Sequence, residues 1–462
     1  MQDMARAEGT RRLADLKDDG RPLLGHPRGL FYLAFTEAWE RFSYFGMIAL
    51  LALYMVDALL LPGHAAHVAG LSSLRAGLEQ HTGALSPQAF ASWIFGLYTG
   101  FVYFTPLLGG AVADRWLGHR NAVIIGALSM AAGHLAMAFD ATFLFALLLL
   151  IIGSGLLKGN IASQVGALYP ADAESARTRG FTLFAVGINV GAVLGPLLCG
   201  FLAQHYGWHY GFGVAALFML LGLATYLRGL RYLPARVERS NSAPHPLTPA
   251  DWRTIAALLG TITITIFSSI GYYQSFNVNP IWIEQHVDLR VGGFDIPVPW
   301  FQSFDSVCCI AGVPPLIWLW RRGALRGQEP DDIARIGVGA WLTAGSNLVL
   351  VAGILIGGNG RIGLIWPLLY SAGLGISWLY YWPVLLALVS QAAPARVNAT
   401  MLGVVYLSLF VAGLVYGPLG ALYESLGPAA FWGLHAAIAA VGGLLVALFG
   451  RRLARALEPV RG

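Results

Sequence analysis

The sequence predicts an all-α membrane protein with twelve transmembrane helices in two six-helix bundles. Three observations carry that prediction. Of 462 residues, 56% are apolar and only 11% are charged, against about 25% charged in an average soluble domain. Twelve apolar runs are long enough to cross a bilayer, which takes about 20 helical residues. A polar segment bearing several prolines and serines follows the sixth run and divides the twelve evenly.

The first six runs are 30–58, 88–112, 119–139, 141–168, 179–205 and 209–233. The second six are 252–277, 300–320, 333–357, 362–390, 397–423 and 428–450. Each must be helical, because hydrocarbon offers a backbone amide no partner outside its own segment. The stretch "PARVERSNSAPHPLTPA" reads as a linker over 234–250. The expected layout is a tail over 1–29, a bundle over 30–233, the linker, a bundle over 251–456 and a tail over 457–462.

Lys and Arg set the orientation. With the N-terminus inside, the outer segments hold only Arg75, Arg290 and Arg361; Arg41 and Lys158 fall within spans, and the remaining cations lie inside. Both termini are therefore expected in the cytoplasm. A six-plus-six layout of this kind is that of the major facilitator fold, whose substrate site lies near the midplane.

The formal charge of +5 belongs to this inside bias and is no sign of a nucleic-acid partner. Cys199, Cys308 and Cys309 lie in apolar runs without metal-ligand spacing and read as small membrane-facing or packing residues. The polar start of the chain, followed by an apolar run too long for a signal-peptide core, predicts no cleavable signal.

The first span carries "EAWERFSYFG" over 37–46. Glu37, Glu40, Arg41 and Tyr44 are spaced i, i+3, i+4 and i+7, which places them on one helical face. Arg41 lies about ten residues, or about 15 Å, from the cytoplasmic start of its helix. Lys158 in the fourth span lies at a similar depth. A charge at the bilayer centre costs about 2.5–3.5 kcal/mol on insertion scales. Two acids and two bases at one depth predict a compensated cluster at a wet cavity. A plain structural ion-pair network is the alternative.

"EAWERFSYFG" resembles the ExxER motif of the proton-dependent oligopeptide transporter (POT) family. "GGAVADRWLGHR", "GSGLLKGNIASQVGALYP" and "FTLFAVGINVGAVLGPLLCG" resemble that family's loop between its second and third helices, its fourth-helix segment and its fifth-helix signature. "YYQSF" and "IPVPWFQSF" resemble its seventh and eighth helices. The resemblance implies a proton-coupled symporter that imports di- and tripeptides across the cytoplasmic membrane by alternating access. It implies no enzyme activity and no cofactor, protons being the coupling ion. Small peptides and the lipid bilayer are the expected partners, and a monomer the expected state.

By the same resemblance, Glu37, Glu40, Arg41 and Lys158 couple protons to substrate, Arg41 and Lys158 taking the peptide carboxylate. Tyr44 and Tyr103 line the pocket, Asn189 hydrogen-bonds the peptide, Gln274 belongs to the substrate-binding set, and Asp114 and Arg115 serve the cytoplasmic gate.

Several positions depart from the pattern. Ile48 replaces the family's second base on the first helix, Tyr273 an acid before Gln274, and Gly96 the histidine of mammalian-type members. Trp378 replaces the tenth-helix Glu that receives the peptide ammonium, and no Asp or Glu occurs between Asp332 and Glu424. Asp305 stands where Asn is usual. Asp305 is expected to receive the substrate ammonium or to titrate as an outer gate group, with capping of its own helix as the alternative. Trp378 is expected to supply an aromatic wall. These departures favour a second expectation, a proton-coupled carrier of a modified amino acid or small organic anion. His134 and His435 read as packed or interhelical hydrogen-bonding residues.

Overall fold

A computed structural model describes residues 23–170, 173–234, 246–327, 330–358 and 360–457. The helices of the first half are α1 (Arg28–Tyr54), α2 (Leu71–Thr82), α3 (Pro87–Val112), α4 (Gly118–Ala136), α5 (Phe143–Ala167), α6 (Glu174–Tyr206) and α7 (Trp208–Gly229). Those of the second half are α8 (Pro249–Tyr273), α9 (Val278–His286), α10 (Trp300–Leu325), α11 (Asp332–Gly357), α12 (Ile365–Ala392), α13 (Asn398–Gly420), α14 (Tyr423–Leu426) and α15 (Pro428–Leu457). A short antiparallel ribbon, β1 (Arg290–Val291) and β2 (Phe294–Asp295), turns through Gly292 and Gly293, both at positive φ.

Among the described residues, eleven helical stretches are long and apolar enough to span a membrane, and one of them, Pro87–Ala136, has 50 residues. At 1.5 Å per residue that stretch is about 75 Å long, enough for two crossings of a core about 30 Å thick. Its two halves, α3 and α4, are separated by a π turn over Ala113–Leu117 and by Gly118 at φ +72°. The twelve predicted spans are thereby all helical. The sequence did not predict α2, an amphipathic helix between the first two spans, which Arg75 and Glu79 brace at 2.9 Å.

The chain forms two compact units. One holds the described residues before Ile48 and those from Thr105 through 234; the other holds Ile48–Phe104 and the described residues from 246 onward. The chain passes from one unit to the other within 234–250, where the linker is expected, while the far half of the first span and most of the second group with the later helices. In that second unit Gln88 Nε2 donates to Gly420 O at 3.1 Å, and Thr99 and Tyr416 share a hydroxyl hydrogen bond. A Cβ on Gly96 would stand 2.6 Å from Gly413 O, so the α3 and α13 backbones touch there.

Most of the expected linker and of both tails lies outside the described residues. The linker's described end is a helix start: Thr248 and Asp251 form a capping box, with Thr248 N donating to Asp251 Oδ2 at 2.7 Å.

In the first unit, α6 lies along α1 through small residues. A Cβ on Gly191 would stand 2.5 Å from Ala38 O and 2.6 Å from Arg41 Cβ. Glycine at this position lets α6 seat against the charged face of α1.

Candidate functional site

In the first unit, the helical spacing of α1 places its charges as the sequence predicts. Arg41 Nε lies 3.2 Å from Glu37 Oε1 and also hydrogen-bonds Glu40 Oε2. Glu37 is 5% exposed, Glu40 0% and Arg41 8%. Tyr44, one turn on, has Arg41 Cζ 5.2 Å and Lys158 Nζ 4.5 Å from its ring centroid. Lys158 of α5 and the α1 charges thus meet around one aromatic ring, where a desolvated cation–π contact is worth about 2 kcal/mol.

The cluster keeps unspent capacity. Glu37 Oε2, Glu40 Oε1 and Arg41 Nη2 are buried without a hydrogen-bond partner among the described residues. Two acceptors and a guanidinium donor in one buried place can exchange partners with a proton and an anion.

The other predicted residues of this unit lie elsewhere. Asn189 on α6 is exposed, and its amide donates to Ala185 O of its own helix at 3.1 Å. Asp114 and Arg115 are both exposed in the π turn between α3 and α4. Asp114 Oδ1 faces His119 Nε2 at 3.5 Å, and His119 Nδ1 meets Asn160 Oδ1 at 2.7 Å. Nearby, Arg120 donates to Leu230, Leu233 and Pro234 carbonyls and so fastens the end of α7.

The second unit holds an aromatic group. Tyr273 OH donates to Tyr103 OH at 2.8 Å, and the Tyr273 ring stacks on Tyr416 at 5.4 Å. Trp378 is half-buried. Its ring lies 4.9 Å from Tyr272, 5.4 Å from Tyr381 and 5.4 Å from Trp382. Two residues that stand where acids were expected, Tyr273 and Trp378, are thus built into aromatic stacks. Ile48 is buried apolar surface.

Asp305 is buried, and its Oδ2 accepts from Tyr272 OH at 2.9 Å. It does not cap α10, which begins at Trp300 after Pro299. It lines a small cavity with room for about one water molecule.

Gln274 is not placed as predicted. It is fully buried; its Nε2 donates to Tyr416 O at 3.0 Å and meets His435 Nε2 at 3.0 Å, while its Oε1 accepts from Asn277 at 3.1 Å. The reason is a break after Tyr273, where α8 ends and Gln274 is spent joining helices. His435 Nδ1 lies 2.9 Å from Phe431 O, so the Gln274–His435 pair is an interhelical hydrogen bond. His134 is fully buried among apolar residues with neither ring nitrogen partnered among the described residues.

Sequence reasoning missed the polar ring around Asp305, to which Ser275, Asn279, Gln302 and Ser371 contribute. The sequence signal was present as "QSFNVN", a polar run inside an apolar span. Among the described residues, no group of His, Cys, Asp and Glu is arranged to hold a metal ion.

Residues 120–248 match the family model PTR2, described as the POT family. The chain is 28% identical over 475 residues to the peptide transporter YePEPT of Yersinia enterocolitica, covering 87% of this chain and 89% of that protein. It is 27% identical over 519 residues to a di-/tripeptide transporter of Lactococcus lactis subsp. cremoris, covering 97% and 100%. A crystal structure of peptide transporter POT in complex with sulfate superposes with a TM-score of 0.83 at 25% identity, covering 97% of this chain and 99% of that one.

Proposed function

We propose that this chain is a member of the POT family and imports small peptides across the cytoplasmic membrane in company with protons. Its relatives include peptide and di-/tripeptide transporters. The observation that carries the coupled reading is the cluster of Glu37, Glu40, Arg41, Tyr44 and Lys158 with its unspent buried atoms.

The mechanism follows from charge balance. With both carboxylates ionised, Arg41 is held by Glu37 and Glu40, and Lys158 lies over Tyr44. A proton on Glu40 or Glu37 weakens that hold. Arg41 or Lys158 then takes the carboxylate of the peptide in place of the lost anion. Total charge in the buried site stays near zero in each state, which keeps desolvation from opposing the exchange. Proton and substrate therefore enter together, and alternating access carries both inward. Asp114 and Arg115 are assigned to the inner gate, and both termini to the cytoplasm. Transport without chemical conversion is the activity.

The test is Glu40→Gln. It should abolish concentrative uptake driven by a proton gradient while peptide counterflow persists. Undiminished concentrative uptake would remove Glu40 from coupling.

A second reading rests on Trp378. The helix that would supply an acid for a peptide ammonium, α12, has none, and Trp378 is stacked among Tyr272, Tyr381 and Trp382. A carrier of a small organic anion needs no such acid. Competition by a panel of peptides, amino-acid derivatives and organic acids separates the two: stronger displacement by organic acids favours the second.

A further inference from the structure

The helix that begins at Pro249 is discontinuous. After Tyr273 the chain makes tight i to i+3 turns, with Ser275, Phe276 and Asn277 amides bonded to Tyr272, Tyr273 and Gln274 carbonyls, before α9 resumes at Val278. Broken membrane helices of this kind build ion sites, because the break turns polar groups away from the helix ladder and toward a cavity.

A cavity lies beside this break. Ser275 and Asn279 line it from the broken helix, Gln302 and Asp305 from α10, and Ser371 from α12; Phe301 and Leu374 supply the apolar wall. All five polar residues are more than nine-tenths buried. Four of their polar atoms have no hydrogen-bond partner among the described residues: Ser275 Oγ, Asn279 Nδ2, Gln302 Oε1 and Asp305 Oδ1. The other ends are committed. Gln302 Nε2 donates to Ser275 O at 3.3 Å, and Asp305 Oδ2 accepts from Tyr272. The free ends are therefore an oxygen of Gln302 and an oxygen of Asp305, with the Ser275 hydroxyl beside them. Rotation of the Asn279 amide exchanges its nitrogen for a further oxygen, an assignment fixed only by the hydrogen-bond network.

Glycine keeps the place open. A Cβ on Gly375 would stand 3.0 Å from Asp305 Oδ1 and 2.5 Å from Asp305 O.

We propose that this cavity is a sodium site, with Asp305 as its anionic ligand and Gln302, Ser275 and Ser371 as neutral oxygen ligands. Among the described residues no Lys, Arg or His pairs with Asp305. A buried carboxylate stays ionised only beside a compensating positive charge, and otherwise takes a proton. Hard cations take oxygen ligands, and one carboxylate balances a monovalent ion but would leave a divalent ion with uncompensated charge in a buried site. The space admits a water-sized species, which fits a small bare cation and not the amino terminus of a peptide. The site lies wholly within the second unit and shares no residue with the Glu37–Lys158 cluster, and its occupancy is a binding property separable from proton coupling.

The test uses the full-length chain purified in detergent. Thermal unfolding is measured over a titration of sodium chloride, with choline chloride holding ionic strength constant, and equilibrium binding of radioactive sodium is measured beside it. The expected result is a saturable upward shift of the unfolding midpoint with sodium but not choline, together with stoichiometric sodium binding. Asp305→Asn should lose both. Gln302→Met, which keeps the volume and removes the oxygen, and Gly375→Ala, which intrudes on the cavity, should weaken binding if Asp305→Asn does not fold. Glu40→Gln should bind sodium as the unaltered chain does. Absence of a sodium-specific shift and of bound sodium in the unaltered chain would overturn the proposal, as would undiminished binding by a folded Asp305→Asn variant.

Discussion

Replacing Arg41 by Met tests the charge-compensated cluster on a thermodynamic scale. The Met keeps most of the apolar stem, so the change is mainly the loss of charge. It removes the guanidinium that lies 3.2 Å from Glu37 and is bonded to Glu40. Neither carboxylate can rehydrate, since Glu37 is 5% and Glu40 0% exposed. Breaking a buried pair by removing one partner costs about 3–5 kcal/mol. Glu40→Gln should cost less, because Arg41 retains Glu37. In the double variant one of the two carboxylates stranded beside the missing guanidinium is gone, and only Glu37 remains. The two changes should therefore couple favourably by about 2–3 kcal/mol in a double-mutant cycle, a factor of about 30 or more in the unfolding constant. The assay is denaturant unfolding in mixed micelles, read by thiol labelling of Cys199, which is fully buried in the folded chain. Cys308 and Cys309 are changed to Ser in all four proteins, so that only Cys199 reports. Strictly additive losses, or an Arg41→Met variant as stable as its parent, would refute the compensation argument.

Three further outcomes are expected. His26 lies before α1 with its Nδ1 2.7 Å from Tyr169 OH, and burial, then the charge of Arg179, holds its pKa below 6.5. The unfolded chain therefore binds the extra proton more readily, and stability should fall as pH drops through 6.5; His26→Gln should flatten that part of the pH–stability curve. Gly413→Val should destabilise by about 1–3 kcal/mol, since its Cβ meets Gly100 Cα at 2.8 Å, whereas Gly433→Ala, with open space around it, should be neutral or stabilising in the same thermal assay. Gln274→Leu should cost about 1–3 kcal/mol by stranding His435 and Asn277, yet leave peptide competition unchanged at equal amounts of folded protein; altered competition would return Gln274 to the substrate pocket.

The parts of the fold that were legible in the sequence are those that one helix or one solvent decides. Lipid forces the twelve apolar runs into helices, and helical spacing alone puts Glu37, Glu40, Arg41 and Tyr44 on one face. Joining Lys158 to them took an argument from equal depth. Local pattern was a poor guide wherever several helices share one contact. Nothing in "YYQSF" shows that the helix ends at Tyr273, so Gln274 was read as lining a pocket when it is spent on Tyr416, Asn277 and His435. Asn189 was carried over by resemblance, and its amide bonds its own helix. The helix α2 escaped notice because its twelve residues, Leu71–Thr82, are too few to cross a bilayer, and only apolar runs of spanning length were sought. The polar ring around Asp305 draws on three separate helical segments; "QSFNVN" marks one of them, but no local pattern marks their convergence.

The central claim is that a proton gradient drives peptide entry through this chain. The direct measurement is uptake of labelled dialanine into liposomes containing the purified protein, with an inward proton gradient imposed or collapsed. The account predicts accumulation above the external concentration only while the gradient stands, suppressed by excess unlabelled di- and tripeptides and absent in Glu40→Gln. Equal uptake with and without the gradient, or no uptake of dialanine while a non-peptide solute is concentrated, would contradict it.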